Sequence, residues 1–327
     1  MCYGISDDQA LSAARAQRGG PLRPGRRSLL RGAVAGAVGA GALAAGVTAA
    51  PGAHAGQDRR GRPLVPPGLI SLQLYTMRDD LNGARGYDAT LRAVARMGYP
   101  RVEQALGLFG RTAREMRAFY REIGVRATSS HNDISPDRAA LETKLRDART
   151  LGQSYMNVPW LNSQALDDWK RFAEQMNQEA AAARRYGLRY GYHNHAHEFT
   201  IDLGRGVTPW DVLTSELDPR LVHLEIDIYW AVTGGIESGD GVRDPERFTI
   251  DVIRSAPQRV LQYHVKDRDP VTGDTIDPGT GMIDFPRIFR AHPVKEYIVE
   301  NDTPDVTPLQ TAEVGWAYLR HGRRGRR

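Results

Sequence analysis

One cysteine, Cys2, serves the whole chain of 327 residues. That excludes an internal disulfide framework and a zinc-finger array, and a core of the size this length allows needs no covalent staples. Phosphate-cradling motifs are missing too: no GxxxxGK[ST] occurs, and no GxGxxG follows the first strand-like run. Gly279-Thr280-Gly281 is a lone glycine pair and reads as a turn. Long apolar runs are scarce. The one stretch of spanning length, residues 32–50, is mostly Gly and Ala, which supply little transfer energy per residue. An excess of positive charge is also absent from the body of the chain. The net charge is +5, but the first 62 residues hold nine arginines against three aspartates, and four more arginines follow Arg320. The span between them is therefore about −5, which argues against a nucleic-acid partner.

What is present begins with an address. Arg26, Arg27, Ser28, Leu29, Leu30 and Arg31 precede the weakly hydrophobic Ala/Gly run, and Ala53-His54-Ala55 supplies a small-x-small site. Together they resemble a twin-arginine export signal. The expected organisation is a cleaved signal over 1–55, a polar proline-bearing linker over 56–67, one domain over 68–320 and a basic tail over 321–327. The resemblance implies an extracytoplasmic protein with no stable membrane insertion after cleavage.

From Leu69 onward the chain alternates short apolar runs with longer amphipathic ones. Strand-like runs fall at 69–75, 101–105, 125–130, 154–160, 188–193, 222–227, 260–264 and 296–300. Helical patterns lie between them, for example over 87–97, 112–123, 136–151 and 165–186, with Trp169, Phe172, Met176 and Ala180 at three- and four-residue steps in the last. Gly98, Gly124 and Gly187 stand where helices should stop. Eight such units predict a closed (β/α)8 TIM barrel in a single α/β domain rather than an open doubly wound sheet.

In barrels of this kind the chemistry sits where the strands end, and those ends are chemically loaded. Glu103, His131, Trp160, His193, His195, Asp227, His264, Lys266 and Glu300 all fall there. Any one of them alone could cap a helix or tether a loop. Asp227, His264 and Glu300 suit one divalent metal ion: manganese, zinc, cobalt or iron. The fourth ligand should come from the stretch YHNHAHEF. His193 is the first choice because it is the last residue still on the strand; Glu198 is the rival, and His197 reads as a solvated loop histidine. His195, on the same face as His193, would lie farther out toward substrate.

LQLYTMRD, MGYPRVE, YHNHAHEF, EIDIYW, YHVKD, GTGMIDF and IVEND occur in that order. Together they resemble the sugar phosphate isomerase/epimerase family of xylose-isomerase-like barrels, which also includes inosose dehydratases and endonuclease IV. By that likeness Asp227, His264 and Glu300 match metal positions. The ketose epimerases carry a glutamate on strand 5, and here His193 stands in its place, so the two-carboxylate epimerase mechanism loses one partner. Endonuclease IV needs a histidine where this chain has Trp230.

The resemblance implies a metal-dependent isomerase or epimerase acting on a free sugar or keto-sugar through an enediolate. A keto-sugar lyase or dehydratase and a non-catalytic exported sugar-binding protein are the alternatives. Base candidates are His195 and Glu103, with Glu300 as ligand and base together. Lys266 would steady an oxyanion or pair with Asp267. Trp160, Tyr75 and Trp230 offer flat faces to a sugar ring, and His131 a substrate contact. No apolar stripe marks an oligomer interface, although such barrels often pair.

Overall fold

The computed structural model describes residues 63–238 and 242–322. The expected export signal and residues 323–327 of the expected tail lie outside them. Within them the chain folds as one (β/α)8 barrel of eight parallel strands: β1 (Ile70–Gln73), β2 (Arg101–Gln104), β3 (Arg126–Ser130), β4 (Tyr155–Val158), β5 (Arg189–His193), β6 (Val222–Asp227), β7 (Arg259–Val265) and β8 (Glu296–Val299). Bonded neighbours run β3, β2, β1, β8, β7, β6, β5, β4. The two ends meet through the parallel bridge between His131 and Asn157, and Ser154 N donates to Thr128 O at 2.8 Å beside it. That closure excludes the open-sheet alternative; seven of the expected strand runs contain a strand, and the run over 260–264 lies inside the longer β7.

Local chemistry sets the helix ends. The helix expected over 112–123 runs Ala113–Glu122. It starts at a capping box in which Thr112 Oγ1 accepts from Glu115 N at 3.3 Å and Glu115 Oε2 accepts from Thr112 N at 2.8 Å. Helix Leu166–Arg185 buries Trp169, Met176 and Ala180, the stripe its periodicity announced. Residues 63–67, the described part of the expected linker, dock on the barrel. Leu64 N and Val65 N reach Leu319 O at 3.1 and 3.3 Å, and the Val65 side chain is buried. Among the described residues, no helix is long and apolar enough to cross a membrane.

Strand alternation decides what lines the axis. In β6, Val222, Leu224 and Ile226 join the hydrophobic core, which leaves His223, Glu225 and Asp227 on the opposite face. Barrel interiors are usually stacked branched apolar side chains; this one is polar. Buried polar groups must find partners, and they do so across the axis. Thr128 Oγ1 donates to Glu296 at 2.5 Å, Gln262 Nε2 to Ser129 Oγ at 3.0 Å and Asn157 Nδ2 to Glu225 at 2.8 Å.

Candidate metal centre and active site

Parallel register places Asp227 opposite His264 and His193 opposite Glu225, and Glu300 follows directly on β8. One donor atom from each of His193, Asp227, His264 and Glu300 lies within 4.8 Å of the others, and all four residues are buried. The structure therefore brings together the four residues expected as ligands. Asp227 Oδ2 is buried with no aligned hydrogen bond and faces Lys266 Nζ at 3.0 Å and His193 Nε2 at 3.8 Å, whereas the likewise unbonded His193 Nδ1 faces Glu225 Oε1 at 3.4 Å. Two imidazoles and two carboxylates are a donor set that fits zinc, manganese, cobalt or iron. Asp227 also serves its helix: Oδ1 accepts from Trp230 N at 2.9 Å, capping Ile228–Glu237, while Oδ2 faces the cluster.

Lys266 is the second notable feature. Its fully buried Nζ lies 2.6 Å from Glu300 Oε2, 2.7 Å from Asp302 Oδ2 and 3.0 Å from Asp227 Oδ2. Asp267 is not its partner. That carboxylate instead accepts from Gly279 N and Gly281 N at 2.9 Å and Ile283 N at 3.1 Å. The Gly279-Thr280-Gly281 turn thus cradles a carboxylate of the chain itself. Three carboxylates around one ammonium leave two formal negative charges, the number a divalent cation would neutralise. Burial lifts Asp227 to about 6 and also raises Asp302. Glu300 ends well below the usual carboxylate range because Lys266 and His264 outweigh the effect of its burial. Burial opposes the Lys266 charge, yet the surrounding carboxylates hold its pKa well above the ordinary value.

A second layer lies beneath. His264 spans the two layers: its Nδ1 is 2.8 Å from Glu300 Oε2 and its Nε2 is 2.7 Å from Glu103 Oε1. Glu103 is thus on the far side of the His264 ring from Glu300, and the expectation that it serves as a base against substrate is corrected. His131 is corrected likewise. Expected against substrate, it stacks on His264 at 5.0 Å, and its Nε2 lies 2.8 Å from Glu225 and 3.2 Å from Glu103. Although burial works against its charge, Glu103 and Glu225 hold His131 up at about 9.

Glu225 is the site residue that strand ends did not reveal. It meets His131, His264 and His193 at 2.8, 3.2 and 3.4 Å, and with those three it forms a second group able to hold a cation. The signal was available in VHLEID, where a residue two before Asp227 must share its face. Despite full burial, Glu225 is held well below the usual range, first by His264 and then by His131 and His193. Burial and the charge of Glu225 push Glu103 upward.

At the mouth, the His195 ring lies 5.1 Å from His193, 4.8 Å from Trp160 and 5.3 Å from Trp230. Its Nδ1 makes no hydrogen bond, and burial, followed by His193, His197 and Lys266, drives its pKa well down, keeping it neutral. Lys266 Nζ lies 5.5 Å from the Trp230 ring centre. These four residues therefore share one rim. Tyr75 sits in the turn after β1 with the Arg78 guanidinium 4.3 Å over its ring, and Arg78 also donates to Asp302 O at 2.7 Å. Glu198, the rival ligand, has both oxygens engaged elsewhere, by Tyr192 OH at 2.5 Å and His195 N at 2.8 Å. His197 is not a solvated loop residue. It is buried, with Nε2 2.7 Å from Leu161 O, because the short helix His197–Thr200 turns it back under Trp160.

Known proteins share this architecture. Residues 91–292 match the family model described as xylose isomerase-like TIM barrel. An inosose dehydratase of Bacillus licheniformis is 29% identical over 207 residues, covering 57% of this chain and 64% of the relative. The chain thus spans less than two thirds of that relative's length. A crystal structure of a sugar phosphate isomerase/epimerase from Parabacteroides distasonis superposes with a TM-score of 0.63 at 24% identity, over 77% of this chain and 93% of the other. The IOLI protein, solved with a zinc atom, superposes at 0.54 and 14% identity over 76% and 97%. The chain belongs to the xylose isomerase-like TIM barrel family.

Proposed function

We propose that this protein is a metal-dependent lyase that removes the proton beside the carbonyl of a keto-sugar or keto-cyclitol and then expels a β-hydroxyl as water. The observation that carries the reading is the composition of the rim. One neutral imidazole, His195, stands free beside the cluster, and His193 occupies the strand-5 place where a second carboxylate would serve exchange at two faces. A single group suffices for elimination: His195 takes the carbon-bound proton as the C–H bond breaks and returns it to the departing hydroxyl as the C–O bond breaks. Lys266 holds its proton too tightly to be the acid, so it steadies the negative oxygen by charge and hydrogen bond. Trp160 and Trp230 offer apolar faces to the carbohydrate ring. His193, Asp227, His264 and Glu300 would hold a divalent ion, which when bound polarises a carbonyl and stabilises the charge left by the departing proton. The zinc of the IOLI neighbour and the inosose dehydratase relatives agree with this reading.

A second reading, isomerisation or epimerisation, is favoured by one observation. The His195 ring lies 5.1 Å from His193, which shares the cluster with Glu300, so His195 and Glu300 would be the two groups that pass a proton between carbons. Incubation of metal-loaded protein with keto-cyclitols and keto-sugars in D2O, followed by NMR, separates the two. Elimination predicts an enone or diketone and loss of a carbinol carbon. Deuterium entry with an unchanged skeleton would replace the first reading by the second. Binding with neither change would leave a sugar-binding protein and overturn both.

We further propose that the protein is exported by its RRSLLR segment and acts on a free, unphosphorylated substrate, since the glycine turn already holds Asp267. Changing Arg26 and Arg27 together to lysine should trap the chain inside the cell, and undiminished export would refute the twin-arginine assignment.

A further inference from the structure

We propose that Glu103 is a positioning residue: it takes the Nε2 hydrogen of His264 and thereby presents Nδ1 of that ring to a cation held with His193, Asp227 and Glu300. The inference rests on the metal reading above and adds to it a residue from the layer below. Hydrogen-bond accounting carries it. Gln73 Oε1 accepts from Tyr75 N at 3.1 Å, so its amide nitrogen is the end that meets Glu103 Oε1 at 2.7 Å. Ser129 Oγ accepts from Gln262 Nε2 at 3.0 Å, so its own hydrogen goes to Glu103 Oε2 at 2.5 Å. Gln262 is fixed in turn, because its Oε1 accepts from Asn157 Nδ2 at 3.1 Å.

The neighbours of Glu103 thus offer it hydrogens, and it is placed to act as an acceptor. Of the two imidazoles that also meet it, His131 Nε2 at 3.2 Å and His264 Nε2 at 2.7 Å, the closer is His264, which then carries its hydrogen on that nitrogen. Glu225 also approaches the same nitrogen, but at 3.2 Å, so the shorter contact to Glu103 sets the direction. Nδ1 donates to Glu300 Oε2 at 2.8 Å in the metal-free chain, and it is the nitrogen that gives up its hydrogen when a cation takes its place between the two. Stacking on His131 at 8° holds the plane of the ring. A carboxylate behind a ligating histidine fixes its tautomer and increases its basicity.

The test uses the full chain stripped of metal with chelator and titrated with zinc and cobalt against a competing chelator. Relative to the native chain, Glu103→Ala is expected to weaken both ions by about 10–100-fold. Glu103→Gln keeps an acceptor oxygen without the charge and is expected to fall between the two. The visible spectrum of bound cobalt should shift in both variants, and long-range ¹H–¹⁵N spectra of the zinc-loaded native chain should show His264 protonated at Nε2. Affinity within twofold and an unchanged cobalt spectrum in Glu103→Gln would overturn the proposal, even if Glu103→Ala fails to fold. If the native chain binds neither ion, the metal reading fails and this inference falls with it. If it binds and Glu103→Gln binds equally well, only the inference falls.

Discussion

Replacing Asp227 or Glu300 with alanine is expected to abolish bound metal and turnover together. Each supplies a charged oxygen to the buried cluster, and losing even a supporting neighbour of a ligand typically costs about 10–100-fold in metal affinity, so loss of a ligand should exceed that. Asp227 needs a control because Oδ1 also caps the helix Ile228–Glu237, and removing a cap costs about 1 kcal/mol. Asp227→Asn keeps an oxygen for Trp230 N and gives up the charged oxygen facing His193 and Lys266. It should therefore retain most of the stability and still lose the ion. Metal content by elemental analysis, alongside thermal unfolding, reads both quantities. One ion per chain retained in Asp227→Ala and in Glu300→Ala would show that the cation sits elsewhere, and the second group, His131, His193, Glu225 and His264, would become the place to look.

Lys266→Met should have the next largest effect, and in two directions. The ammonium is buried among oxygens of Glu300, Asp302 and Asp227 at 2.6, 2.7 and 3.0 Å. Deleting one partner of such a buried group leaves uncompensated charge and is expected to destabilise the metal-free chain by about 3–5 kcal/mol. The same three carboxylates, relieved of their internal cation, should hold a divalent ion more tightly. The rise in Tm on adding zinc or manganese should therefore be larger in the variant than in the native chain. Turnover should still fall by about 10²–10³-fold, because the charge that steadies the reacting oxygen is gone. A variant with native Tm, native metal response and native rate would show that Lys266 has no part in the site.

The fold was legible because its signals are local. VHLEID alternates at period two, and Trp169, Met176 and Ala180 recur at helical steps. A chain repeating that change of period eight times has few ways to bury all its apolar faces. The ligand candidates were legible for a related reason. Parallel strands in register put their last residues at one rim, so a polar residue that ends β5 or β6, or stands next to last on β7, announces its position without any long-range knowledge. Glu103 and His131 misled on the same logic: each reads as a strand end, but β2 runs on to Gln104 and β3 stops at Ser130, and both side chains close the layer below.

His197 looked solvated because its neighbours in sequence are polar, whereas burial depends on Trp160 and Leu161, which arrive from another loop. For Lys266 the sequence offers the adjacent Asp267 as the alternative to a substrate oxygen, yet its partner Asp302 stands 36 residues away. By itself, the sequence determined the barrel, the strand-end character of the site and four residues that the fold assembles into one cluster, since each depends on period and position along a single strand. Only the tertiary structure decided which ring nitrogen faces which carboxylate, because those contacts join residues up to 161 positions apart that carry no mark of one another in the chain.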